Sequence, residues 1–306
     1  GTPGDVDLWR QRTSMKRSYA ADITTVLPSL EPLFEVKQYG KLSHGNFPLL
    51  AACSRNWTSD KPSILITGGV HGYETSGVHG ALAFLQTEAA AYTDTFNVVV
   101  VPCVSPWSYE HEQRWNAVAI DPNRCFGGCG STDGAEDAIE PAEESAGLKR
   151  FIASLQVPEW CCHIDLHETT LSDETEFRPA AAARDGEPLV PEHTPDGFYL
   201  VVDAPARALL MEVPLEQPGW LAAVVEAVSQ VTRIAAPDEY DQIAGLPLAQ
   251  KGVVTAPTRS IGTCSSMTNA RFTATTEINP DAANVIEREC VCAQVAAVVA
   301  ALDYIA

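Results

Sequence analysis

Short apolar runs alternate with stretches of helical spacing along the whole chain. FEVKQYG (34–40) and FPLLAAC (47–53) read as a pair of strands, with SHGN as turn material between them. SILITGG (63–69), NVVVVPC (97–103), CCHIDLH (161–167) and FYLVVDA (198–204) are compact apolar runs, the pattern of strands covered on both faces. ARFTATTEIN (270–279) alternates as a further strand. Between them, Val78, Ala81, Leu82, Leu85 and Ala89 recur at helical spacing from Glu74 to about Ala91. The spacing also predicts helices over 141–155, with acidic residues in its first turn, over 218–235, which opens on Pro218, and over 282–304. No internal repeat or low-complexity linker interrupts the alternation. It predicts one α/β domain spanning 1–306, with a mixed or mostly parallel sheet covered by helices and residues 1–60 as a helix and strand extension. In such sheets the active site gathers at the carboxyl ends of the strands. The polar, Pro- and Gly-rich stretches 125–142 and 171–197 read as long surface loops.

Charge narrows the partners. Forty acidic against twenty basic residues give a net charge of −20, a field that repels phosphate backbones and anionic lipid, so neither nucleic acid nor membrane is expected. No apolar run has the length of a bilayer span. The opening GTPGDVDLWRQRTSMKR has no apolar core behind its charges, so no signal peptide is expected there, with a removed leader left open. Nine cysteines, an odd number and several inside apolar stretches, fit free thiols in a reducing cytoplasm. Cys125 and Cys129 flank a Gly-rich turn, but no second pair with zinc-ribbon spacing follows. Composition is silent on oligomeric state.

Two segments carry candidate chemistry. In ITGGVHGYETSG (66–77) a buried strand ends in glycines, and His71 and Glu74 follow before a helix. A spacing of three lets an imidazole nitrogen and a carboxylate oxygen reach one cation from the same turn. Standing alone, His-x-x-Glu is equally met by chance or by N-terminal capping. In WCCHIDLHETT (160–170), Asp165 and His167 point to one side of a strand and His167 sits at its end. A third ligand there would meet the first two at the sheet edge. Two histidines and one glutamate with an open fourth position make the composition of a catalytic zinc site, one ion per chain. Asp165 reads as support orienting a histidine, and His163 as a core or supporting residue. His44, His79, His111 and His193 have no comparable setting.

These motifs in order, HGYE, AIDPNR, DLHET and TATTEIN, resemble the zinc carboxypeptidases, or funnelins, whose relatives include the succinylglutamate desuccinylase/aspartoacylase group. The resemblance runs from about residue 62 to 280. It implies a mixed, mostly parallel eight-stranded sheet sandwiched between helices, with His71, Glu74 and His167 as the zinc ligands. It further implies that Asn123 and Arg124 grip the terminal carboxylate of the substrate, that Arg114 steadies the developing oxyanion, and that Glu277 is the general base. Elementary chemistry agrees, since a guanidinium fork binds a carboxylate bidentately and a glutamate beside an activated water can take its proton. Glu168 and Glu239 are the rival bases.

The sequence departs from the family at three places. Cys125 intervenes between DPNR and Phe126, where many relatives carry an aromatic directly. The stretch 251–267, where the family's mobile tyrosine falls, holds no Tyr; Arg259 is its one long polar side chain, a candidate substrate contact. Only 29 residues follow Glu277, too few for the C-terminal β-domain of the desuccinylase relatives. Three readings therefore stand: a metallocarboxypeptidase acting on peptides, an amidohydrolase acting on N-acyl amino acids, and a metal-binding protein without catalysis.

Overall fold

The computed structural model describes residues 3–31, 33–127, 141–189, 193–204 and 215–306. Helix α1 (Pro3–Arg12) leads through a π-turn (Ala20–Thr24) and a 3₁₀ turn (Leu27–Leu30) into β1 (Phe34–Lys41), β2 (Pro48–Ser54) and β3 (Ser63–Gly68). Helix α2 (Thr75–Thr87), β4 (Asn97–Val101), α3 (Pro106–His111), α4 (Glu143–Ser154) and β5 (Trp160–Leu166) follow. Next come α5 (Arg178–Asp185), β6 (Phe198–Asp203), α6 (Pro218–Ser229), β7 (Gln242–Ile243), β8 (Leu246–Gln250) and β9 (Val253–Ala256). Helix α7 (Thr258–Ile261), β10 (Phe272–Ile278) and α8 (Glu287–Ile305) complete the chain.

One sheet unites them, in the order β1-β2-β4-β3-β5-β10-β6-β9-β8-β7. Its central strands are buried on both sides, which is why their apolar runs are continuous. Ile64, Ile66, Val98, Val100, Ile164 and Leu166 face α2, α6 and α8, while Leu65, Val99 and Val101 face α4 and Phe126. Burying each such side chain is worth roughly 1.5–3 kcal/mol. A one-residue slip here would exchange the two faces without exposing them, so register rests on side-chain fit and on the strand ends. At those ends, a Cβ on Gly77 would overlap the carbonyl of Leu166, and one on Gly68 would overlap the carbonyl of Gly77. The glycines let the first turn of α2 sit directly on the ends of β3 and β5.

The fold is the expected single mixed α/β domain, with two corrections to the sheet. Among the described residues it has ten strands rather than eight, and only the β4/β3, β3/β5, β5/β10 and β6/β9 pairings are parallel, so antiparallel neighbours are the majority. The unexpected strands β7 to β9 are short, β8 carries Pro247 and alternates half-buried with exposed residues, and none forms an apolar run. Stretch 171–197 is not all loop: a π-turn (Asp173–Phe177) leads into α5. Helix α6 stops at Ser229 because Ile234 and Ala235 pair with Phe198 at the start of β6. Much of 125–142, including Cys129, lies outside the described residues, and with it the Cys125–Cys129 reading. The eight described cysteines are free, and no described helix is long and apolar enough to cross a membrane.

Candidate metal centre and substrate cavity

Strand register assembles the site. Gly68 lies beside Leu166 across the β3/β5 pair, and Leu166 beside Thr276 across the β5/β10 pair, so three central strands end abreast. The next residues reach into one place: His71 and Glu74 from the turn after β3, His167 directly after β5, and Glu277 near the end of β10. Backbone bonds from His167 N to Thr276 O (3.0 Å) and from Thr169 N to Ile278 O (3.0 Å) keep the segment after β5 zipped to β10.

His71, Glu74 and His167 are 3, 2 and 2 % exposed and present one donor atom each, all within 4.8 Å of one another. The two oxygens of Glu74 are shared out, Oε1 to His71 Nδ1 and Oε2 to His167 Nδ1, each at 2.7 Å. The far nitrogens are tied down as well, His71 Nε2 to Asp121 Oδ1 (3.0 Å) and His167 Nε2 to Asp165 Oδ2 (2.8 Å). Thr67 Oγ1 donates to the other Asp165 oxygen at 2.6 Å. Carboxylates behind both rings fix the orientation in which Nδ1 faces inward, the arrangement that supports metal-ligating histidines. Burial opposes ionisation of Glu74, but the two rings outweigh it and hold the carboxyl well below the usual range. Burial likewise opposes charge on His167, yet Asp165 and Glu74 lift it well above an ordinary histidine. Two nitrogens and a carboxylate converging from a buried corner, each ring backed by its own acid, fit a zinc-type cation. Capping, the bland alternative for Glu74, does not use its carboxylate: Ser76 N, in the first turn of α2, donates to Glu168 Oε1 at 2.7 Å instead.

The corner opens into a cavity of about 890 Å³, lined among others by Arg114, Asn123, Arg124, Tyr199 and Glu277, which brings all seven expected site residues around one space. Arg114 is held rather than mobile. Its Nε donates to Asp121 Oδ2 (3.1 Å), and its Nη1 to Asp173 Oδ1 and to the Tyr73 hydroxyl (3.2 Å each). Asn123 Oδ1 accepts from Cys264 N at 2.7 Å, so what this amide can offer the cavity is its Nδ2 donor. Arg124 is exposed to the cavity, and its guanidinium donates to the Asn123 carbonyl at 2.8 Å. Among the described residues it forms no ion pair. Burial, with Glu74 nearby, pushes the Glu277 carboxyl up to about 7.

Other candidates fall elsewhere. Arg259 is turned away on Asp203 and Asn269, and Glu239 lies in an exposed turn. His163 is buried between Thr67 and Thr268, with burial pushing its pKa down to about 4, as a core residue. Cys125 lines the cavity, with its thiol 3.5 Å from the Asp121 carbonyl. The residues that reading the chain missed are Asp121, Tyr73 and Asp173 around Arg114, and Thr169 and Tyr199 beside Glu277. Asp121 stood inside the DPNR motif with no role attached. Asp173 had one usable signal, its place three residues after Thr170, whose backbone N–H its Oδ2 accepts at 2.9 Å.

Residues 60–187 match the sequence profile of the Succinylglutamate desuccinylase/Aspartoacylase catalytic domain, a span that holds His71, Glu74, Arg114, Asn123, Arg124 and His167 and ends before Glu277. No curated protein matches the sequence. Among solved structures, a candidate metallopeptidase from Shewanella amazonensis SB2B superposes with a TM-score of 0.67 at 20% identity, covering 96% of this chain and 99% of that one. A metallo-carboxypeptidase from Burkholderia cenocepacia gives 0.58 at 16% identity, over 94% of this chain and 68% of the other. Carboxypeptidase A from Helicoverpa armigera gives 0.58 at 13%, over 96% and 76%. At these identities the likeness is one of fold. Profile and fold agree: the fold is carboxypeptidase-like, and residues 60–187 are similar to the desuccinylase/aspartoacylase catalytic domain.

Proposed function

We propose that this chain, as one catalytic domain over 1–306, is a zinc-dependent metallocarboxypeptidase that hydrolyses the C-terminal peptide bond of a peptide with a free carboxylate. The observation that carries the reading is the buried His71–Glu74–His167 corner opening on a cavity that also holds Arg114, Arg124 and Glu277. Those three residues would hold one zinc ion per chain, which would supply Lewis acidity toward water and the carbonyl. The chain does the rest. Arg124 and the Asn123 amide receive the terminal carboxylate, a charge-assisted contact that selects for a free terminus. Arg114, its charge already balanced by Asp121 and Asp173, acts as a fixed hydrogen-bond donor to charge developing on the carbonyl oxygen, and being fixed it needs no reorganisation. Glu277 accepts a proton from the attacking water and delivers it to the leaving nitrogen as the C–N bond breaks, and a carboxyl raised to about 7 suits both halves of that transfer.

The profile match favours a second reading, hydrolysis of an N-acyl amino acid, in which the same amide bond breaks and the same arginine reads the same carboxylate. Zinc-loaded protein assayed against blocked dipeptides, their C-terminal amides and N-acetyl or N-succinyl amino acids separates the two. Turnover confined to the dipeptides with a free carboxylate is expected. Turnover confined to the N-acyl amino acids makes the enzyme a deacylase, and turnover of none leaves a metal-binding protein.

A further inference from the structure

We infer that Thr169 and Tyr199 are positioning residues for Glu277, forming a chain of donors that runs from the Tyr199 hydroxyl through Thr169 Oγ1 to Glu277 Oε2. The inference rests on Glu277 being the base proposed above. The Tyr199 and Thr169 oxygens are 2.7 Å apart, and Thr169 Oγ1 is 2.8 Å from Glu277 Oε2. Both hydroxyl-bearing residues are buried, at 3 and 6 % exposure, and among the described residues neither hydroxyl has another partner. The backbone dictates the meeting. Tyr199 on β6 lies directly opposite Glu277 on β10, and the bond from Thr169 N to Ile278 O anchors Thr169 beside the same strand end.

Proton counting gives the chain one direction while Glu277 is ionised. A carboxylate only accepts, so Thr169 must spend its single hydroxyl proton on Glu277. The Thr169 oxygen is then free to accept from Tyr199, and burial, with Glu277 close by, holds the phenol in its protonated form. With Oε2 held, Oε1 is the oxygen of Glu277 without a protein donor among the described residues, on a side chain that lines the cavity. A flexible carboxylate at a strand end thereby becomes a base with one oxygen fixed and the other presented. Thr169 is two residues past His167 and Glu277 one past Thr276, so the chain also ties the base to the strand end that carries a metal ligand.

The test uses the zinc-loaded full chain as wild type, Thr169→Val, Thr169→Ser, Tyr199→Phe and Glu277→Gln. Kinetics are read on benzoylglycyl-phenylalanine, or on whichever probe from the panel above is turned over. Valine keeps the shape of threonine and removes the hydroxyl. Thr169→Val is expected to lower kcat about 10–100-fold, part of what a general base supplies, with KM within about threefold and zinc retained. Thr169→Ser should recover to within about threefold, and Tyr199→Phe should fall between. Thr169→Val turning over within twofold of wild type while Glu277→Gln is dead overturns the positioning role and spares the base. Glu277→Gln turning over like wild type removes the base and this inference with it. A readout that needs no turnover is the ¹³C titration of glutamate carboxyls, with Glu277 assigned by its Gln variant. Loss of a donor to the ionised form should raise its midpoint in Thr169→Val, and serine should restore it. An unchanged midpoint overturns the inference.

Discussion

The two ends of the cavity are built differently. At the metal end, side chains from adjacent central strands are almost wholly buried, and both nitrogens of each imidazole are committed to carboxylates. At the end proposed to take the carboxylate, Arg124 sits on a three-residue 3₁₀ turn (Pro122–Arg124), is exposed, and among the described residues is tied only to a neighbouring carbonyl. The cavity wall also draws on the periphery: α5, and the β7–β8 hairpin, whose turn residues Ala244 and Gly245 both have positive φ. The difference separates two tasks. On the proposed function, chemistry is anchored in the middle of the sheet, where moving any group strands a buried charge, while selection is delegated to edges that can change without disturbing the core.

The comparison breaks most completely at the proposed ligands. His71→Ala and His167→Ala should both lose zinc, and with it more activity than the loss of a general base, measured as metal per chain and turnover. They should differ in stability. His71→Ala leaves Asp121 its bond to Arg114, whereas His167→Ala leaves Asp165 without its ring, and removing one partner of a buried pair costs about 3–5 kcal/mol. His167→Ala should therefore melt lower, and stoichiometric zinc in it would strike His167 from the ligands.

Next in size, Glu277→Gln should keep zinc and fold while kcat falls about 10²–10⁴-fold. Its pH dependence follows from sign. A carboxyl raised to about 7 is protonated, and useless as a base, below its pKa; a bound dication favours the carboxylate and pulls that value down. The loaded enzyme should therefore lose kcat/KM on an acid limb below pH 7, and that limb should vanish in Glu277→Gln. A smaller effect is expected at the other end. Arg124→Ala should cost about 2–5 kcal/mol on substrates with a free carboxylate and little on their amides. Equal losses on both would make Arg124 structural. Smallest is Asp121→Asn, which keeps a partner for His71 but removes its charge and should weaken zinc about 10–100-fold in a competition titration.

Much of this was legible in the chain. Continuous apolar runs announced the central strands because both faces are buried, and metal-binding residue types placed just past strand ends announced where His71, Glu74 and His167 meet. What escaped were groups defined by contact rather than by period. Thr169 and Tyr199 are 30 residues apart and touch only because β10 lies between their segments. Asp173 reaches Arg114 across 59 positions, from a π-turn inside what reads as loop. The β7–β8 hairpin has no apolar alternation to detect, since its strands run along the exposed edge of the sheet.

The acids behind the two histidines carry a practical consequence. Hydrogen bonds from the ring nitrogens to Asp121 and Asp165 aim both rings by themselves, so the corner is a preformed socket. Such a socket should survive chelation folded and accept a replacement. Cobalt(II) would then give the site a visible absorption band, whose shape reports how many groups surround the ion and changes when a carboxylate-bearing inhibitor joins them.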